Sequence, residues 1–325
     1  MVVDLDCLDK NISSISKIAD IYEKNIRIAT KSIRVPDLIR YIQKKGGSKF
    51  NSLMCFSMEE AQFLSTLGFD HLLIAYPTFS FNDIEIFFSL TQDGKNVILM
   101  VDCFDHIKSI EKFWTRFKTG NTFKAKICID VDMSWRPAGL HLGVYRSPVR
   151  TFDDFNSLYK HIRKFDNLDL VGIMGYEAQI AGMGERNPFS KLLNPIKKFI
   201  KYRSVKDVKK KRQQINEYLR NEQYQIDLFN GGGTGSLIST AKESWITEVT
   251  VGSGFLQSHL FDYYKNHPGE AAFCFALQVT RKPQDDYYTC KSGGFIASGE
   301  TSLDKSPLPF IPQGMKIIGS EGFGE

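Results

Sequence analysis

Eight short runs of apolar and β-branched residues recur along the chain, separated by stretches with helical spacing. The runs are IRIATK (26–31), SLMCFS (52–57), LLIAYP (72–77), VILMVD (97–102), KICIDVD (126–132), LVGIMGY (170–176), IDLFN (226–230) and TEVTVG (247–252). IRVPDLIRYIQKKGG and MEEAQFLSTLG lie between the first three and read as amphipathic helices closed by glycine. Asp105–Phe117 and Phe152–Lys164 read the same way. Eight strands alternating with helices predict an α/β chain folded as a (β/α)8 TIM barrel, a fold of about 250 residues. Strands apolar on both faces also suit a doubly wound sheet. The count of eight and the position of the glycine loops favour the barrel.

The texture changes after Tyr264. Residues 271–297 read as two strands, a polar turn and a Gly-rich turn, followed by Pro307, Pro309, Pro312 and MKIIGSEGFGE. The expected organisation is a barrel over 1–262 and the start of a mainly β C-terminal domain over 263–325. That second unit is expected to be incomplete, because too few strands appear in it to bury a face.

Composition narrows the class. Hydrophobic residues at 42% and charged residues at 24% exclude a disordered, collagen-like or disulfide-scaffold chain. No apolar run reaches membrane-spanning length, and the N-terminus lacks the pattern of a signal peptide, so a cytoplasmic protein is expected. The six cysteines form no C-x-x-C pair and read as reduced, mostly buried thiols. Eleven Lys or Arg against two acidic residues crowd Lys191–Arg220. This reads as a solvated helix face or insertion, and no nucleic-acid partner is expected.

Chemistry in such a barrel sits at the C-terminal strand ends. Here these ends supply Lys31, Ser57, Tyr76, Asp102, Asp132, Tyr176 and two glycine loops. Gly231, Gly232, Gly233, Thr234, Gly235 and Ser236 follow strand seven, and Gly252, Ser253 and Gly254 follow strand eight. Backbone N–H groups in such loops can converge on an anion, and loops seven and eight often build the phosphate site of these barrels. The pattern is neither a P-loop nor G-x-G-x-x-G. Lys31 is expected to be partly desolvated, which would lower its pKa and suit a Schiff-base amine. An amine facing a phosphate loop suits pyridoxal 5'-phosphate (PLP); an aldolase acting directly on a sugar phosphate would use the same pair. Asp130 and Asp132 form a carboxylate pair suited to acid–base work, metal binding or support. Arg136 could bind a carboxylate through its fork; Arg146 and His141 are further candidates, and Tyr176 is a candidate donor to the cofactor ring.

VVDLDCLDKNI, IRIATKSIRVPDLIR, SMEEAQFLSTLGFDHLLIAYP, GLHLGVYRSPVRT, LVGIMGYEAQIAGMGE, NGGGTGS, GSGFLQSHLFDYY and GGFIASG, in this order, resemble the alanine racemase-like, fold type III PLP enzymes. The likeness is to the D-threonine aldolase and D-serine dehydratase branch, the amino acid deaminase/aldolase group. The resemblance implies that Lys31 holds PLP and that Gly231–Ser236 with Ser253 and Gly254 hold its phosphate. It places Tyr176 near the cofactor. It also puts Thr250 where alanine racemases carry an arginine facing the pyridine nitrogen, which tilts the expectation from racemase toward lyase. It implies a divalent metal, Mn or Zn, held by a His and Cys or acidic pair; no residue of this chain matches that pair, and the ligands are expected beyond Glu325. The expected substrate is a D-β-hydroxy amino acid, cleaved by retro-aldol reaction or deaminated by β-elimination, in a homodimer. A racemase and a non-catalytic PLP-binding protein are the alternatives.

Overall fold

The computed structural model describes residues 1–116, 123–266, 269–291 and 303–319. The segments GGFIASG (293–299) and SEGFGE (320–325) lie outside these residues.

A short strand β1 (Val2–Val3) leads into helix α1 (Leu5–Ile21), whose first turn is capped by the Asp4 carboxylate. The barrel strands follow: β2 (Asn25–Ala29), β3 (Ser52–Cys55), β4 (Leu72–Ile74), β5 (Val97–Val101), β6 (Ala125–Asp130), β7 (Leu168–Gly175), β8 (Leu228–Gly231) and β9 (Glu248–Val251). Each pairs in parallel with its successor, and β9 pairs with β2, so the eight close into a barrel. The helices between them are α2 (Pro36–Gly46), α3 (Met58–Thr66), α4 (Phe81–Gln92), α5 (Phe104–Arg116), α6 (Phe152–Ile162), α7 (Ala178–Ala181), α8 (Asn194–Asn221) and α9 (Leu237–Ala241); α10 (Ser253–Leu256) follows β9. Every expected strand is present in order, and the (β/α)8 expectation holds.

The strand wall separates two apolar clusters. Ile26, Ile28, Leu53, Val249 and Val251 pack outward with the helix residues Ile39, Leu64 and Phe255. Leu73, Ile98, Met100, Cys128, Val171, Met174 and Leu228 fill the interior. This is the alternation that strand geometry imposes on a barrel, and each such buried side chain contributes about 1.5–3 kcal/mol. Four polar residues also lie inside. Arg27 pairs with Glu248, Asn230 Nδ2 donates to Glu248 Oε1 at 2.8 Å, and Thr250 Oγ1 donates to Asn230 Oδ1 at 3.0 Å. The charges of Arg27 and Glu248 offset each other, as buried ions require.

The basic stretch forms α8, a 28-residue helix. Its buried positions, Ser204, Val208, Arg212, Ile215 and Leu219, are spaced as one helical stripe, and most of its lysines lie off it. Of the cysteines, Cys55 and Cys128 are buried, Cys290 is exposed, and all are free thiols. Beyond the barrel, β10 (Phe273–Cys274) pairs with β1, and β11 (Gln278–Gln284) forms an antiparallel hairpin with β12 (Tyr287–Lys291). Thus Val2↔Cys274 and Val3↔Phe273 tie the region after residue 263 to the chain's beginning. Among the described residues no helix is long and apolar enough to cross a membrane.

Candidate functional site

Because all eight strands run the same way, the residues that follow them gather at one mouth. After Ala29 the chain turns at once into a single 3₁₀ turn, Thr30–Ser32. Ile28 is in register with Val251, so this turn stands beside the end of β9. There a Cβ on Gly252 would lie 2.8 Å from Ser32 Oγ and 2.9 Å from Ala29 Cβ. Lys31 therefore sits one residue from the backbone that packs against the strand-eight loop. Its side chain is exposed, not partly desolvated as expected. The reason is local: the strand ends two residues before Lys31, which leaves it on the rim and not in the barrel wall.

The two glycine loops interlock. Gly254 N–H donates to Thr234 Oγ1 at 2.9 Å, and Thr234 Oγ1 lies 3.2 Å from Ser253 Oγ. Some of the expected anion-binding donors are engaged inside the loop. Gly232, at φ +84°, donates its N–H to Glu177 Oε2 at 3.1 Å, and Gly233 donates to Ser236 Oγ at 3.0 Å. Ser236 is itself buried. The amides of Thr234 and Gly235 open the 3₁₀ turn, where no acceptor within the turn can serve them. These amides and Ser253 are the donors least committed to the loops' own structure. Gly235 must be glycine because a Cβ there would run into the Ala181 carbonyl and the Tyr264 ring. A cavity of about 370 Å³ opens behind Thr234 and Gly235, with Lys201 and Glu185 paired at 3.1 Å on its side.

Tyr176 follows β7, and its ring edge lies 3.1 Å from where a Gly233 Cβ would stand. Burial pushes its phenol pKa up. Arg146, from the loop after β6, reaches across the mouth. Its guanidinium lies 5.6 Å from the Tyr76 ring centre and 5.7 Å from that of Tyr176, within cation–π range. Its Nε donates to Asp130 Oδ2 at 2.7 Å. The carboxylate pair is split between partners. Asp132 takes Ser134 and Arg136, the latter at 3.1 Å, so Arg136 straps its own loop and is not a free fork. His141 stacks on Tyr145 with ring centres 3.9 Å apart, and no contact among the described residues joins it to Lys31 or the glycine loops.

Asp130 is buried, with Oδ1 unpaired, and desolvation raises its pKa to about 6 despite Arg146. The folded chain therefore binds this proton more tightly than the unfolded chain. Its contribution to stability is full below pH ~4 and declines as pH rises toward about 6, by up to roughly 3 kcal/mol at 1.36 kcal/mol per unit. Asp130→Asn should flatten that part of the pH–stability curve in denaturant titrations. An unchanged slope between pH 4 and 6 would show that Asp130 does not carry it.

Two residues escaped the sequence reading. Arg212 of α8 is fully buried and donates to Glu177, to Glu243 Oε1 at 2.7 Å and to the Gly175 carbonyl at 2.6 Å. Glu177 in turn accepts from Gly232 N–H and Thr240 Oγ1. The long basic helix thus braces the first glycine loop through an arginine and a glutamate. The one available signal was an arginine at an apolar-stripe position.

Residues 3–256 match the model of the family "Alanine racemase, N-terminal domain". A search of curated protein sequences returned no match. Among solved structures, D-threonine aldolase from Filomicrobium marinum superposes with a TM-score of 0.71 at 16% identity, covering 87% of this chain and 69% of that one. D-threo-3-hydroxyaspartate dehydratase from Delftia sp. HT23 gives 0.57 at 17% identity, covering 79% of this chain and 60% of that one. Alanine racemase from Oenococcus oeni gives 0.55 at 14%, covering 83% of this chain and 66% of that one. This chain thus spans about 60% of the dehydratase's length. The family match over most of the chain, on a closed parallel barrel, makes it a member of the alanine racemase N-terminal domain family, the barrel of the fold type III PLP-dependent enzymes.

Proposed function

We propose that this chain is the PLP-binding barrel of a lyase that acts on D-configured β-hydroxy amino acids, by retro-aldol cleavage or by β-elimination with deamination. The observation that carries this reading is the Lys31 turn packed beside the interlocked loops at Thr234–Gly235 and Ser253–Gly254. An amine and a set of uncommitted amide donors at one mouth fit an aldehyde that bears a phosphate. The glycine at 235, where no side chain fits, is consistent with a backbone cradle shaped for close approach.

Lys31 Nζ would hold the aldehyde end. Thr234, Gly235 and Ser253 would hold the phosphate, with Gly254 bracing Thr234 through its N–H and with Tyr176 and Thr250 beside the ring. Bound there, PLP supplies an electron sink for charge that develops next to the substrate's amino group. The rest is the work of the chain's own side chains. Lys31 Nζ can take up or return a proton on the β2 side of the mouth. Arg146, fixed between Tyr76 and Tyr176, is a positive charge suited to the substrate carboxylate. Asp130 holds it in place, and protonation of Asp130 below about pH 6 would free part of that charge. Thr250 is uncharged and already paired with Asn230. A threonine hydroxyl, like an arginine, leaves a ring nitrogen unprotonated, so the sink is a weak one, and a neutral residue at this place is the feature expected of the lyase branch. That favours the lyase reading, as do the printed names of the aldolase and dehydratase neighbours. The working form is proposed to be a homodimer, supported by the exposed Leu308, Phe310, Ile311 and Ile318; a monomer's mass by sedimentation would count against it.

The test is a spectrum and a substrate panel. The purified protein with added PLP should show a visible absorption band that borohydride bleaches. D-Threonine and D-serine, but not the L-forms, should be consumed, with added Mn2+ or Zn2+ where needed. Glycine plus an aldehyde would identify the aldolase, and a keto acid plus ammonia the dehydratase. Absence of the band, or racemisation without cleavage, would overturn the reading.

A further inference from the structure

A second set of reactive side chains lies at the mouth, at the end of β5, and the PLP reading does not use it. Asp102 and Cys103 follow the last residue of that strand, and His106 is the third residue of α5. The junction from strand to helix brings positions i, i+1 and i+4 together. His106 Nδ1 lies 3.0 Å from Asp102 Oδ1 and 3.2 Å from Cys103 Sγ, and the three ligand atoms all lie within 4.8 Å of one another. The imidazole is held in plane by the stacked ring of Phe79, with ring centres 4.2 Å apart. Asp102 and His106 are both buried.

Three lone-pair donors converging on one point pose a physical problem. A single proton on Nδ1 can serve the carboxylate or the sulfur, but not both. The Asp102 N–H also points at Nδ1, from 3.4 Å, which favours an unprotonated nitrogen. One cation bound to all three atoms resolves the arrangement. A tetrahedral ion with bonds of about 2.0–2.3 Å places its donors roughly 3.3–3.6 Å apart, a few tenths of an ångström from the two short separations here. One nitrogen, one thiolate and one carboxylate form a borderline-soft set, which suits Zn2+ or Co2+ and does not suit Mg2+ or Ca2+.

We propose that Asp102, Cys103 and His106 form a three-ligand site for a zinc-class divalent ion. Binding exchanges the Cys103 thiol proton, released to solvent, for the metal–sulfur bond. The site is made by the barrel alone and is independent of the PLP chemistry.

The test is a Co2+ titration of the chelator-dialysed protein, read as difference spectra so that a bound cofactor does not interfere. One equivalent of Co2+ should give visible ligand-field bands and a near-ultraviolet thiolate charge-transfer band, and Zn2+ should displace both. Cys103→Ser should abolish the charge-transfer band, and His106→Gln, which removes a ligand outright, should weaken binding by more than the roughly 100-fold that loss of an outer-shell partner can cost. Cys290→Ser, which alters the exposed thiol, should change nothing. The unsubstituted protein decides the matter even if a variant misfolds: no thiolate band at stoichiometric Co2+ overturns the site. A band that survives Cys103→Ser and disappears with Cys290→Ser does so equally. Neither failure touches the PLP reading, whose own readout is the borohydride-sensitive band.

Discussion

Lys31→Ala should abolish the visible band and lower turnover by a factor on the order of 10⁴–10⁶, the range seen when a covalent catalytic group is removed. It should leave the fold intact. Lys31 is exposed, and the hydrogen bond found at this residue runs from Arg34 Nε to its backbone carbonyl, which alanine keeps. Exposed substitutions of this kind change stability by about 0.5 kcal/mol or less. Loss of colour with an unchanged denaturation midpoint would therefore be a chemical result and not an unfolding result. Lys31→Arg is the sharper version, since it keeps the positive charge but cannot hold an aldehyde as a primary amine does. Lys201 is the control. It also lies near the glycine loop, on the far side of Thr234–Gly235, and burial pushes its pKa down. An amine with a lowered pKa is the type that reacts with aldehydes. If the band survives Lys31→Ala and disappears with Lys201→Ala, the assignment moves to Lys201 and the proposed mechanism fails.

The barrel was legible because its signal is repeated eight times and is carried by burial. Runs such as VILMVD and LVGIMGY are apolar on both faces, which follows from a strand wall with one cluster inside it and another outside. The ends of the runs were less legible. The first run continues to Lys31, but the strand stops at Ala29; the fifth continues to Asp132, but the strand stops at Asp130. Apolar character does not register where the chain leaves the ladder to bend over the mouth, and those residues carry the chemistry. The glycine loops were readable as loops. Which of their donors are spent internally was not, since the partners Glu177 and Thr234 come from other strands' ends. Arg136 and Asp132 were readable as charges but not as partners of each other. Cys103 read as one more reduced thiol, because its neighbours Asp102 and His106 acquire meaning only at the turn from β5 into α5. Arg212 was hidden among ten other basic residues. Composition treats them alike, and only the helical phase separates the one that turns inward.

That inward arginine sets the largest expected effect on stability. Arg212→Ala should cost about 3–5 kcal/mol, the range for removing one partner of a buried ion pair. Here the cost has two parts. Glu177 and Glu243 would both be left buried without their cation, and burial already pushes the Glu243 carboxyl pKa up. The Gly175 carbonyl would lose a donor at the point where β7 leaves the barrel. For a domain of ordinary stability, about 5–15 kcal/mol, a loss of this size leaves a folded but much weakened protein or none. Arg212→Lys keeps the charge and loses the fork that reaches Glu177, Glu243 and the carbonyl together, so it should fall between the two. The same change should reach the candidate site. Glu177 holds the Gly232 N–H, and Gly231 must lack a side chain because the Arg212 guanidinium occupies that space. With the guanidinium gone, the glycine loop loses its floor, and PLP affinity should fall together with stability. Glu177→Gln combined with Arg212→Met leaves one buried carboxylate without its cation where Arg212→Ala leaves two, and should recover part of the stability. Chemical denaturation of the four proteins measures this directly. A loss below about 1 kcal/mol for Arg212→Ala, or a double variant no better than the single, would show that the helix does not brace the loop through this pair.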